Sequence, residues 1–104
     1  GAITAVGYQA LRANTTGLFN TAVGYACMSD NVTGNNNISI GVNQNIPNFG
    51  NCIMFGRADT ATGNGELRFG SAAIPLNAVT VQVNASSQYL PIFINGVSYK
   101  MLLA

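Results

Sequence analysis

Hydrophobic and polar positions alternate over very short distances along this 104-residue chain, and the alternation recurs. Five times an apolar residue or Thr, any residue, an apolar residue and glycine follow one another. The copies are Thr4-Ala5-Val6-Gly7, Thr21-Ala22-Val23-Gly24, Ile38-Ser39-Ile40-Gly41, Ile53-Met54-Phe55-Gly56 and Leu67-Arg68-Phe69-Gly70, with glycines spaced by 17, 17, 15 and 14 residues. A period of two predicts a brief strand in each copy. A strand that short does not bury its own apolar face, so the copies are expected to stack as rungs of a solenoid and share one continuous core.

Between the strands lies a second recurring element: Asn14-Thr15-Thr16-Gly17, Asn31-Val32-Thr33-Gly34, Asn48-Phe49-Gly50-Asn51 and Thr62-Gly63-Asn64-Gly65. Gly and Asn tolerate positive φ, and Asn and Thr side chains bond nearby backbone, so these are turns. Rungs paired by backbone hydrogen bonds lie about 4.8 Å apart, and five of them make a rod roughly 24 Å long. Residues 8–13 and 25–29 suit a single helical turn at a corner, far below the length of a stable isolated helix. Tyr8 and Tyr25 hold equivalent places after glycine, which reads as a packing ladder.

Residues 1–70 form the repeat array, and the period breaks at Ser71-Ala72-Ala73-Ile74-Pro75. In the C-terminal segment 71–104, alternation predicts a strand over 78–84, then a loop, then a β-hairpin over 89–103 turning at Asn95-Gly96. Pairing outward from that turn sets Ile94 opposite Val97, Ile92 opposite Tyr99 and Leu90 opposite Met101 on one apolar face. The mixed opposite face carries Tyr89, Pro91, Phe93, Ser98, Lys100 and Leu102. Pro91 lacks an amide donor, so its strand belongs at an edge or with that position unpaired. Tyr89 and Phe93, with Ser98 and Lys100 across from them and Gln88 in the adjoining loop, make an aromatic platform edged by polar groups. This is the candidate ligand site; the competing reading is that Tyr89 and Phe93 pack against the neighbouring chain.

Composition changes the picture. Charged residues make up 7% of the chain and hydrophobic ones 48%, against about 25% charged in an ordinary soluble domain. Asn, Thr, Ser and Gly must supply the wet surface, and much apolar surface is expected to face another copy of the chain. A net charge of +1 is no footprint for nucleic acid or an anionic membrane. No apolar run reaches the roughly 18 to 20 residues of a spanning helix, and these 104 residues hold no basic, then apolar, then small-residue signal pattern, so any export signal is expected upstream. The chain opens inside a repeat, so a longer fibre is expected upstream.

Candidate chemistry is sparse. There is no histidine, the commonest general base and metal ligand. Neither a catalytic set, nor a metal site, nor a cofactor is expected. Arg57, Asp59, Glu66 and Arg68 fall in consecutive copies and read as modest exposed salt bridges; Asp59 and Glu66 as a hydrolytic carboxylate pair is a remote alternative. Thr62-Gly63-Asn64-Gly65 lacks the lysine of a phosphate loop. Cys27 and Cys52 replace small or ordinary rung residues and read as buried free thiols, with a bridge between them the alternative.

The phrases Asn14-Thr15-Thr16-Gly17, Asn20-Thr21-Ala22-Val23-Gly24-Tyr25 and Asn37-Ile38-Ser39-Ile40-Gly41 resemble the head repeats of trimeric fibres. Such repeats occur in YadA-like heads of trimeric autotransporter adhesins, in phage tail fibres and in surface fibres of predatory bacteria. The ending from Tyr89 to Lys100 is similar to the closing segment of many such fibres. The resemblance implies an all-β fold: a homotrimer of left-handed parallel β-rolls, closed by a C-terminal β-hairpin at the distal tip. It also implies an extracellular location, on a cell surface or at a virion fibre tip, and adhesion to a cell-surface glycan or outer-membrane component of a host or prey cell. Head repeats of adhesins are shorter than the first two here, which points to an expanded corner, and no stalk heptads follow the array. The expected function is a non-enzymatic receptor-binding tip. The alternative is a structural segment that trimerises or caps a fibre without a ligand site of its own.

Overall fold

The computed structural model describes residues 1–72 and 89–102. Its strands are β1 (Thr4–Val6), β2 (Thr21–Tyr25), β3 (Ile38–Val42), β4 (Ile53–Arg57), β5 (Leu67–Phe69), β6 (Tyr89–Ile94) and β7 (Val97–Leu102). They form one sheet in chain order, parallel from β1 to β6 and antiparallel between β6 and β7. The fold is all-β, with no helix among the described residues, and successive rungs stack as a β-solenoid. The strand expected over 78–84 lies outside the described residues.

The register sets each motif on the next, with Gly24 beside Gly41 and Gly41 beside Gly56. Two constraints demand glycine there. Gly24 and Gly41 have φ of 126° and 145°, and a Cβ on either would sit 1.8 Å from the glycine carbonyl oxygen of the next rung. No other residue fits that approach.

The corners are not helical. Gln9 and Leu11 in the first rung, and Ala26 and Met28 in the second, have φ between 51° and 59°. The left-handed residues turn the chain so that its amides point along the stack: Leu11 N donates to Cys27 O at 3.0 Å and Met28 N to Gln44 O at 2.7 Å. The corresponding corner of the shorter rungs has a single left-handed residue, Asn43 or Ala58. The extra one, at Leu11 and Met28, is the expanded corner of the 17-residue rungs.

Burial reverses the expected sense of the strands. The variable middle position of each motif points inward: Ala22, Ser39 and Met54 are fully buried, and Arg68 nearly so. The apolar residues flanking it point outward, and Val6, Ile38, Ile40, Ile53 and Phe55 are exposed. The reason is closure. The corners fold Cys27, Met28, Ile46 and Ala61 across the inner side of the sheet, leaving a narrow interior in which the middle position starts as Ala or Ser.

That interior is partly polar, and asparagine satisfies it. Asn20 Nδ2 donates to Gly34 O at 2.7 Å, while its Oδ1 accepts from Asn37 N at 3.1 Å. Asn37 repeats the pattern one rung on, donating to Phe49 O at 2.8 Å and accepting from Cys52 N at 2.9 Å. Each buried amide thus pairs backbone groups that the turns leave without partners. Gln44 does the same deeper in: turned with its nitrogen toward the Ile40 and Met54 carbonyls, it accepts from Gly56 N at 2.8 Å.

The pairing of β6 with β7 has the register expected from the turn, Ile94 beside Val97 and Ile92 beside Tyr99. Asn95 and Gly96 both have positive φ, 54° and 78°, as a two-residue type I′ turn requires. β6 also joins the solenoid sheet, with Leu67 beside Ile92, Arg68 beside Phe93 and Phe69 beside Ile94. Pro91 falls one residue outside that three-residue overlap, where its missing donor costs no bond to β5.

Candidate functional site

Arg68 occupies the inward position of β5, in the column that reads Ala22, Ser39 and Met54 in the preceding rungs. An arginine 4% exposed needs partners of opposite charge. Nε donates to Asp59 Oδ2 at 2.7 Å and Nη2 to Asp59 Oδ1 at 3.0 Å, a two-pronged pair. Nη1 donates to Glu66 Oε2 at 2.9 Å, and Thr62 Oγ1 donates to Glu66 Oε1 at 2.6 Å. Burial disfavours the charged guanidinium, but the hydrogen bonds and charges of Asp59 and Glu66 outweigh it and hold the group above its ordinary value.

This corrects the expectation of modest exposed salt bridges. Asp59, Glu66 and Arg68 are all buried, because their copies put them on the inner side of the stack, while Arg57 at the end of β4 is exposed. The two carboxylates do meet, on either side of one guanidinium.

Cys27 and Cys52 are free and buried. The Cys27 thiol donates to Gly41 O at 3.1 Å, and the Cys52 thiol donates to Gly63 O at 3.2 Å from the position that Asn20 and Asn37 hold in earlier rungs. Burial pushes the Cys52 thiol up from its ordinary value.

Of the residues singled out on the hairpin, Phe93 and Ser98 lie side by side across β6 and β7, the first half-buried and the second exposed. Tyr89 pairs with Leu102 and Lys100 with Pro91 along the same ladder. Gln88 lies outside the described residues. Phe93 has a partner that hairpin pairing does not reveal: the Arg68 guanidinium carbon sits 4.3 Å from the centre of its ring, within cation–π range. The repeat stops before β6, so nothing in the spacing relates residue 93 to residue 68.

The outer face of the sheet is the other distinctive surface. Two apolar columns run up it, one from Thr21 through Ile38, Ile53 and Leu67 to Ile92, the other from Val23 through Ile40, Phe55 and Phe69 to Ile94. Phe55 and Phe69 stack at 5.5 Å, and so do Tyr8 and Tyr25 at the face's edge. Five strands about 4.8 Å apart, each roughly 17 Å long, give a face of about 400 Å². That matches the largest apolar patch of a typical monomer, which is often functional. The sequence marks these residues as apolar but assigns them to the shared core; the clue to their true position is the run of small residues at the middle position, which only a narrow interior demands.

Comparison with protein-family models, with curated proteins and with solved structures finds no match.

Proposed function

We propose that this chain is a non-enzymatic module of a homotrimeric, extracellular adhesive fibre, its copies held together through the apolar outer face of the solenoid sheet. The observation that carries this is the inversion of the motif: Ile38, Ile40, Ile53 and Phe55 face outward in a chain with 7% charged residues. Fully covering side chains of this size is worth about 1.5 to 3 kcal/mol each, and association is how a thin solenoid obtains it. Sedimentation equilibrium at micromolar concentration tests the reading; the expected mass is three times the 10.8 kDa of the chain, and a folded monomer refutes it.

For the C-terminal segment, one observation favours a structural cap over a receptor site. Phe93 lies over Arg68, which gives its ring a role in closing the polar end of the interior. The receptor reading places a cell-surface glycan or outer-membrane component against Tyr89, Phe93, Ser98, Lys100 and Gln88. A glycan array and binding to intact bacterial cells, each repeated with Tyr89→Ala and Lys100→Ala, separate the two. Binding lost in a variant whose assembly and melting temperature are unchanged establishes a site, and silence throughout assigns the segment to the cap.

A further inference from the structure

The outer face is not uniform, and its changes along the stack say how copies meet. We infer that, in the ring of copies, the Phe19 edge of one chain packs against the Tyr8–Tyr25 ladder of the next. This rests on the self-association proposed above and specifies its contact.

Phe19 lies two residues before β2 and is 58% exposed, with φ 56°. Backbone bonds from Asn36 N to Leu18 O, Asn51 N to Asn35 O and Gly65 N to Gly50 O stack its corner on those of later rungs. The residues above Phe19 are therefore Asn36, Asn51 and Gly65, with φ of 59°, 61° and 71°. Asn and Gly accept the left-handed conformation readily, whereas a bulky aromatic does not. The stacked corner imposes this conformation, but Asn or Gly would meet it at less cost than an exposed aromatic, and residues held in strained conformations cluster at functional positions. At the opposite edge Tyr8 and Tyr25 are 65% and 50% exposed, and stack on each other. Phe19 and Tyr25 bound the same strand, so they stand at one height on opposite edges.

Edge and centre change together along the stack. In the second rung both edges are aromatic, Phe19 and Tyr25, in the first rung Tyr8 faces Ala2 across the sheet, and in both the centre is small, with Thr4, Val6, Thr21 and Val23. Beyond them the edges become Asn36 and Val42, then Asn51 and Arg57, while the centre grows to Ile and then Phe. Bulk thus moves from edge to centre at both sides of the face in the same rung. A closed ring of three uses a heterologous contact, in which two different patches of each copy meet at the same height. Phe19 and Tyr25, aromatic on opposite edges of one rung, satisfy that condition. Area requires it too. A face of about 400 Å² shared between two neighbours falls well short of the roughly 800 Å² per partner of a standard interface, so the edges must contribute.

Phe19→Asn tests the contact with a residue this column already uses at Asn36 and Asn51, so the fold is kept. The expected result is self-association weakened at least tenfold in sedimentation equilibrium, with an unchanged far-UV spectrum; Tyr25→Ser behaves alike. Mild oxidation of the double variant Phe19→Cys/Tyr25→Cys gives a covalent trimer on a non-reducing gel, and Phe19→Cys alone gives no cross-link. A trimer of undiminished affinity in Phe19→Asn, or dimers from Phe19→Cys alone, overturns this contact and leaves the trimer standing. A native chain that stays a folded monomer overturns the trimer, and the contact with it.

Discussion

Substituting Arg68 with Met keeps a long unbranched side chain in the interior column but withdraws the cation from two buried carboxylates. Asp59 loses both prongs of its pair and keeps, among the described residues, the amide of Thr60 at 3.0 Å; Glu66 keeps the Thr62 hydroxyl and amide. Breaking a buried ion pair by removing one partner costs about 3 to 5 kcal/mol, because the remaining charge is left in a poor solvent. Phe93 loses its cation contact as well, about 0.5 to 2 kcal/mol. In a unit of this size each kcal/mol moves the melting temperature by about 4 to 8 °C, so Arg68→Met lowers it by roughly 12 °C or more. Urea titration and calorimetry at fixed protein concentration measure the loss. The triple variant Arg68→Met/Asp59→Asn/Glu66→Gln removes the stranded charges together and recovers most of it. A loss under about 1 kcal/mol in the single variant, or a triple variant no more stable than the single, would show that the cluster is not the desolvated network described here.

Gly41→Ala places a methyl on the Gly56 carbonyl oxygen at a backbone angle that side chains disfavour, so a loss beyond about 4 kcal/mol is expected; soluble protein with native-like circular dichroism and melting temperature counts against the register. Asn37→Ala strands Phe49 O and Cys52 N, at about 1 to 3 kcal/mol for each buried group left unpaired, read by urea titration, whereas Asn35→Ala at the exposed corner costs far less. Because burial raises the Cys52 thiol, its contribution to stability is fully present below the ordinary thiol value. That contribution is lost as pH rises from about 8.5, where the unfolded chain ionises, through the higher folded value. Unfolding free energy therefore falls across that alkaline range, and Cys52→Ala flattens the fall; identical pH profiles for the two proteins would exclude burial as the cause.

The sequence by itself determined where the strands lie, because period-two alternation beside a glycine of fixed spacing leaves little choice. It determined the register too. The glycines pair because only they tolerate both the angle and the close carbonyl, and Asn95-Gly96 sets the hairpin ladder. Which side of the sheet is the inside was decided by tertiary structure. Alternation says that the two faces of a strand differ, and it does so equally well for either assignment; the choice depends on what the corners close over. Here left-handed residues such as Leu11 and Met28 bring the corners across the middle positions, so Ser39 and even Arg68 lie within while Ile40 and Phe55 lie without. The corner conformation was itself illegible, since Gln9, Leu11, Ala26 and Met28 have no intrinsic preference for positive φ and adopt it to aim their amides at the next rung. The same holds for the Arg68 cluster. Its acids and cation were visible as a charge pattern, but their burial, and the ring of Phe93 from 25 residues away, follow from stacking a hairpin on the last rung, a long-range contact with no period to announce it.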